Sequence, residues 1–339
     1  MKKIFTVLVL LCATLVASAQ EVPSSFPRKY LIEHFTGDQC GYCPYGMYSI
    51  MDYSAYYTTT PCVWVSHHYG YNNDEYTIPE SAKIGSTCGV QGAPNMAMNR
   101  TKVMGTSIAF HPGYLVEDGM AETIASKCDT TAEASVVINH TYNADTRQME
   151  VTISGQVGNT EVTEYLLTVI IKENGLIGAQ ADYYWSWKIA GFREFLHPCV
   201  ARDVISENQL GDTVLVTNQA YSKTYTYTVS DKWVAENCCV VAYITPLSKK
   251  PVINAEETPL VAGTTGGAEY LPFAITENKE PTNATKLSYD EMTLTQVADN
   301  KLAIGLLAKS ATRSDEYGPL KMAIYLEFNT TDSVIPAGT

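Results

Sequence analysis

Cys40 and Cys43 stand three positions apart in the run Phe35-Thr36-Gly37-Asp38-Gln39-Cys40-Gly41-Tyr42-Cys43-Pro44. Two cysteines at this spacing on the first turn of a helix can close a small disulfide ring. The unpaired N–H groups of that turn stabilise a thiolate on the leading sulfur. Cys40 is that sulfur, and the chemistry to expect is thiol–disulfide exchange, with Cys40 attacking and Cys43 resolving.

A strand and a helix must hold the pair at a corner. Residues 30–35 read as the strand, and a helix is expected from Cys43 to about residue 57, with Pro44 in its first turn where a missing N–H costs nothing. A second strand is expected at 61–66, an apolar run suited to the centre of a parallel sheet. His67 and His68 end it. Sites in open α/β sheets gather beyond the carboxyl ends of strands. One histidine could therefore face Cys40, to tune its thiolate or to join the cysteines in holding a metal, or each could simply bond locally. No metal is assigned, since a redox disulfide and a metal compete for the same thiolates. A short helix at 78–86, a strand at 95–100 and a closing helix at 114–128 complete a βαβ, helix, βα order.

This arrangement resembles the thioredoxin fold. Gly89-Val90-Gln91-Gly92-Ala93-Pro94 is similar to the loop that ends in a cis-proline beside the two cysteines, and Cys-Gly-Tyr-Cys looks like the active site of periplasmic disulfide-bond isomerases. The resemblance implies that Pro94 shapes the substrate groove and keeps stray metal away. It implies that Gly41, Tyr42 and Ala93 contact substrate, and that Glu33 is the buried acid that shuttles protons beneath the disulfide. The chain has one more residue between Glu33 and the first cysteine than that pattern has.

A wider pattern covers residues 28–260: an export signal, Glu33-His34-Phe35-Thr36-Gly37 leading into the Cys-x-x-Cys-Pro, and a β-rich continuation with Phe195-Leu196-His197-Pro198. It resembles the outer membrane protein 28-related family of Gram-negative bacteria. That likeness implies an envelope or surface protein and carries no catalysis by itself.

The signal is read from Met1-Lys2-Lys3, an apolar run over 4–16, and Ala17-Ser18-Ala19, with cleavage expected before Gln20. The apolar run is shorter than the ~20 residues that cross a bilayer, and no transmembrane span is expected. Leu11 before Cys12 argues against a lipoprotein. The formal charge is −13, and loss of Lys2 and Lys3 with the signal makes the mature chain more acidic still. Nucleic acid and anionic lipid, which need Lys/Arg patches, are excluded as partners. Of nine cysteines, Cys12 leaves with the signal, and an even number in an exported chain reads as disulfides. Cys88 is either a third, resolving thiol or the partner of Cys62.

With 339 residues the chain is long enough for two or three domains. A thioredoxin-like α/β domain is expected over 28–130. An all-β, Ig-like sandwich follows over 134–256, from period-two runs at 135–142, 149–154, 164–171, 213–217, 224–229 and 239–244. Twenty-three tyrosines against eight phenylalanines suit half-exposed sheet surfaces. An aromatic excursion over 179–212, with Tyr183, Tyr184, Trp185, Trp187, Phe192 and Phe195, is either a ligand loop or a lid against the neighbouring domain. Cys238 and Cys239 point to opposite strand faces and so take separate mates, Cys199 serving one of them. A linker over 257–288 leads to a small β-rich segment over 289–339.

Two functions follow. One is an exported thiol–disulfide oxidoreductase or isomerase acting on envelope proteins in the periplasm or at the outer membrane. The other is an outer-membrane-associated binding or adhesion protein in which the thioredoxin-like domain is a scaffold and Cys40–Cys43 a static bridge. Neither implies a cofactor, and both take protein substrates or envelope partners. No Gly-x-Ser-x-Gly or phosphate-binding Gly-rich loop is present to suggest another class.

Overall fold

The computed structural model describes residues 22–117, 120–183 and 192–268, together with the backbone of four further strands between residues 287 and 327. The expected signal and the aromatic residues Tyr184, Trp185 and Trp187 lie outside the described residues.

The element order is β1 (Phe26–Pro27), β2 (Tyr30–Thr36), α1 (Cys43–Asp52), β3 (Cys62–His68), α2 (Pro79–Cys88), β4 (Asn95–Met98) and α3 (Met120–Ser126), followed by strands only. These are β5 (Thr131–Ala132), β6 (Val137–Asn143), β7 (Gln148–Gln156), β8 (Glu164–Glu173), β9 (Leu176–Ala181), β10 (Phe192–His197), β11 (Val200–Val204), β12 (Asp212–Leu215), β13 (Ala220–Thr228), β14 (Cys238–Thr245) and β15 (Asn254–Pro259). Then come β16 (Leu287–Tyr289), β17 (Met292–Ala298), β18 (Lys301–Ala308) and β19 (Leu320–Glu327), one four-stranded antiparallel sheet. The chain is β-rich, with few helices and several sheets.

The main sheet has eight strands in the order β15-β14-β8-β11-β3-β2-β4, with β12 also paired to β8. β2 and β3 run parallel with His34 opposite Ser66, and β4 runs antiparallel to β2. β11 joins β3 in parallel at Val200 and Ser66, so the sheet continues from residues before 130 into residues after 134. β8 and β14 are the longest fully buried runs. They lie in the middle of the sheet, which is why they lack the alternation of a half-exposed strand.

β6, β7 and β13 do alternate, with every second residue half-buried in β6 and buried or half-buried in β7 and β13, and form a separate three-stranded sheet. Its Met149, Val151 and Ile153 pack face to face with Leu167, Val169, Ile171, Val240 and Ala242 of the main sheet. A second core sets Tyr30, Ile32, Trp64, Met96 and Met98 against Met47 and Ile50 of α1 and Ile124 of α3. A third, on the opposite sheet face, runs from Leu31, Phe35, Val63 and Ile84 of α2 across to Ile170, Val241 and Tyr243. The third core thus draws side chains from both sides of the expected boundary at 130–134.

α1 follows from Met47, Ile50 and Met51 on one buried side and Pro44 in the first turn. The expected single helix to about residue 57 becomes α1 plus a π-helical turn over Tyr53–Tyr57, closed by extended Thr58. The expected helix at 114–128 is divided into a 3-10 turn, Pro112–Val116, and α3.

Candidate functional site

β2 delivers the chain to a loop over residues 37–42, and α1 begins at Cys43. Cys40 and Cys43 are joined by a disulfide, with Cα atoms 5.4 Å apart. No side chain caps α1; in its first turn the Cys43 N–H donates to the Cys40 carbonyl at 3.1 Å and Pro44 has no N–H to offer. Pro94, preceded by a cis peptide bond, rests on the helix one turn later. A Cβ at Gly46 would lie 2.9 Å from Cβ of Pro94, so only glycine lets the proline loop approach this closely. Cys40, Gly41, Tyr42, Cys43 and Pro94 are brought to one corner, and half-buried Ala93 adjoins Pro94.

Glu33 is not brought to that corner. It shares a strand face with Leu31 and Phe35, which pack toward α2, whereas α1 packs on Tyr30 and Ile32. Its partner is Arg100, and the Cys88 thiol also donates to its Oε2 at 3.5 Å. Burial would raise the Glu33 carboxyl, but the charge of Arg100 and its hydrogen bonds hold it below the ordinary carboxylate range. A carboxylate pinned in this way does not carry a proton beneath the disulfide. His34 takes the α1-side face instead, fully buried, with Nδ1 3.4 Å from Ser66 Oγ. Burial and the nearby His68 push its pKa down to about 3.

Neither histidine at the end of β3 binds the cysteines. His67 turns to α2, where Nδ1 meets Ser81 Oγ at 3.0 Å and the ring stacks on Phe35. His68 Nδ1 meets Asp74 Oδ2 at 2.6 Å. Asp74 in turn accepts from the Asp38 N–H at 2.9 Å, and Asn72 Nδ2 donates to Asp38 Oδ1 at 2.6 Å. Residues 72–74 therefore clamp the loop that presents Cys40. Burial would raise the Asp74 carboxyl, but hydrogen bonds from His68 and from backbone N–H groups bring it below its ordinary value. Among the described residues no group of three or more His, Cys, Asp or Glu is placed to hold a metal ion, and no helix is long and apolar enough to cross a membrane.

The expected further disulfides are not formed among the described residues. Cys62, Cys88, Cys128, Cys199, Cys238 and Cys239 are all free thiols. Cys88 belongs to the third core while Cys62 packs against the second, so the sheet separates them. Cys238 and Cys239 do face opposite ways, as a strand requires. Cys238 packs in the sandwich core, and Cys239 donates to the Gly266 carbonyl. Cys199 lies 3.9 Å from buried Lys172 Nζ, without a disulfide.

The described part of the excursion lies over the redox loop. β9 and β10 form a two-stranded antiparallel hairpin apart from the other sheets. The Ala181 N–H donates to the Asp38 carbonyl at 2.6 Å and the Tyr183 N–H to the Gly41 carbonyl at 2.8 Å. Gln180 Nε2 donates to the carbonyls of Gly37 and Cys40 at 3.1 and 3.0 Å. Beneath, His197 packs on His68 and Tyr76 with ring centroids 5.5 and 5.0 Å apart. Cys40 is left 2% exposed and Cys43 0%. Gln180, Tyr183 and Asp74 carry no sequence motif, and only the aromatic richness of the excursion signals that it covers something.

A family model described as outer membrane protein Omp28 matches residues 81–261, just over half of the 339. The match takes in the proline loop, both faces of the sandwich and the covering hairpin, and begins after Cys43. Among curated proteins none matches. The solved structure of HBP35 of Porphyromonas gingivalis is similar in fold, with a TM-score of 0.59 and 18% identity over 90% of this chain and 100% of that one. A domain of the outer membrane lipoprotein Omp28 from Porphyromonas gingivalis matches with a TM-score of 0.26 and 19% identity, over 38% of this chain and 88% of that one.

Proposed function

The chain belongs to the Omp28 family of outer membrane proteins, and from that premise we propose that it is an exported thiol–disulfide oxidoreductase of the cell envelope, built on a thioredoxin-like corner. Exported and associated with the outer membrane or cell surface, it works where substrate proteins carry disulfides. The observation that carries this reading is the Cys40–Cys43 disulfide at the uncapped start of α1, with Pro94 packed on Gly46 one turn away.

In the reducing direction, the Cys40 thiolate attacks one sulfur of a substrate disulfide, forming a mixed disulfide and releasing the other substrate sulfur as thiolate. The Cys43 thiolate then attacks Cys40, restoring the Cys40–Cys43 bond and freeing the second substrate thiolate. Two electrons pass to the substrate, and an external thiol reductant resets the pair. Run backwards, the same steps oxidise a dithiol. Tyr42, exposed beside the pair, contacts the substrate chain, and Ala93 and Pro94 border the groove.

A second reading draws on the burial of both sulfurs: the bridge is static and the protein binds an envelope partner through its surface. Insulin reduction by the mature protein with dithiothreitol separates the two. Oxidoreductase activity that disappears in Cys40→Ser supports the first, and a rate no faster than dithiothreitol alone supports the second.

A further inference from the structure

We infer that the β9–β10 hairpin is an intramolecular competitor of substrate, and that the substrate which displaces it is an extended polypeptide bearing an aromatic side chain. The inference rests on the oxidoreductase reading for the chemistry, but its geometry stands on the closed site itself.

Ala181 and Tyr183, two positions apart, donate their N–H groups to the carbonyls of Asp38 and Gly41, on either side of Cys40. Donors at alternate residues are what one edge of an extended strand offers. Any extended peptide passing over Cys40 could make the same bonds. The ring of Tyr183 lies flat over Gly41, where a Cβ would be 2.4 Å from its atoms, and meets the Tyr42 ring edge to face at 5.5 Å. Both rings keep an open outer side, Tyr183 being 56% and Tyr42 51% exposed. The site therefore selects main chain by two carbonyls and one side chain by an aromatic ledge, and the hairpin occupies both.

The closed state is held weakly enough to compete. A two-stranded hairpin is marginal alone. Gln180, fully buried, spends its amide N–H groups on the redox loop and the Ala181 carbonyl while its Oε1 finds no partner. That unmet buried group offsets part of what closure gains. Substrate must therefore be present, or the hairpin released, before Cys40 meets solvent.

The test uses the full mature chain, reduced with dithiothreitol and freed of it. Labelling of Cys40 by a bulky maleimide is followed by peptide mass analysis in the wild type, Tyr183→Ala and Gln180→Ala. Expected are slow labelling in the wild type and acceleration of about tenfold in each variant, the response to losing one contact of ordinary strength. An extended disulfide peptide with a Tyr next to its cystine should react faster than the same peptide with Ser there. Wild-type Cys40 labelled as fast as an unstructured thiol, or variants that fold and label no faster, would overturn the competitor. Amide exchange of the unmodified protein gives a second measure. The Ala181 and Tyr183 N–H groups should exchange well before those of β8, and equal protection would also overturn it. Faster labelling in the variants without any insulin reduction would uphold the hairpin's role and remove the oxidoreductase reading instead.

Discussion

Arg100 donates to Glu33 twice, from Nε to Oε2 at 2.9 Å and from NH2 to Oε1 at 2.7 Å, with both side chains shut from solvent. The same guanidinium reaches Tyr243 Oη of β14 at 2.6 Å and the Lys249 carbonyl at 3.1 Å. One side chain thus fastens β2 to the far half of the sheet, across the boundary that the change of sequence period marks. Glu33→Gln leaves a buried guanidinium facing a neutral amide, and Arg100→Met leaves a buried carboxylate. Each should lower stability by about 3–5 kcal/mol, the usual cost of orphaning one partner of a buried pair. Urea unfolding measures this. Glu33→Gln should leave the insulin-reduction rate of the folded fraction unchanged, because the carboxylate lies on the far face of the sheet from α1. A selective loss of rate would restore the proton-shuttle role.

The six free thiols give a second expectation. Burial raises each of them: Cys62 and Cys199 to about 12 and Cys239 to about 11, with Cys88, Cys128 and Cys238 also raised. Few thiolates exist at neutral pH, so none competes with Cys40 as nucleophile. The unreduced native protein should therefore label slowly with a thiol reagent, and the urea-unfolded protein should label at all six positions and at neither Cys40 nor Cys43. Fewer labelled sites in urea would mean that further disulfides form.

How much of this was legible in the residues varies with the physics of each element. All six runs after residue 134 became strands: in β6, β7, β12 and β13 the alternation is the burial pattern of a half-exposed sheet, while β8 and β14 are buried on both faces and form strands through their apolar, β-branched runs. The cysteine corner was legible because local chemistry forces it: Pro44 in a first helical turn, and a Cys-x-x-Cys that can close only a short ring. The Pro94 loop was legible only through its resemblance to a known loop. The phase of β2 was not. All seven of its residues, Tyr30–Thr36, are buried, so nothing in their polarity says whether Glu33 or His34 faces α1. The disulfide pairings failed for a different reason. An even cysteine count speaks of compartment, whereas pairing needs two Cβ atoms within reach across the sheet. Nor could the pattern place the hairpin over Cys40, since those contacts join residues about 140 apart in the chain through backbone carbonyls that every residue owns.

Gly41 tests the cover from the opposite side. Its neighbour is a ring and not backbone, so Gly41→Ala should push Tyr183 outward while α1 keeps its start. Reduced Cys40 should then label about tenfold faster, as when Tyr183 itself is trimmed. The double variant Gly41→Ala, Tyr183→Ala should label no faster than either alone, because both changes remove one contact. Additive acceleration would mean that the two residues act separately.

Acid should loosen this protein through its histidines. Burial holds His34 at about 3 and His67 and His197 at about 4, against an ordinary value of 6.5. Between about pH 6.5 and pH 4 the unfolded chain binds protons at these three sites that the folded chain refuses, so stability falls as pH falls through that window. Each site contributes up to about 1.4 kcal/mol per pH unit, and the three together about 4. The lowered carboxyls of Glu33 and Asp74 act in the same direction only at more acid pH, once those groups begin to protonate in the unfolded state. His197 lies in the hairpin, packed on His68, and charging it costs the closed state directly. Unfolding midpoints in urea should therefore drop between about pH 7 and pH 5, and His197→Phe, which fits beside Phe195 and Tyr76, should make that drop shallower by about one proton. Cys40 labelling in the reduced wild type, corrected for its thiolate fraction, should rise over the same interval and stay flat in His197→Phe. An identical pH dependence in both proteins would assign the loss to His34 and His67 and leave the hairpin insensitive to acid.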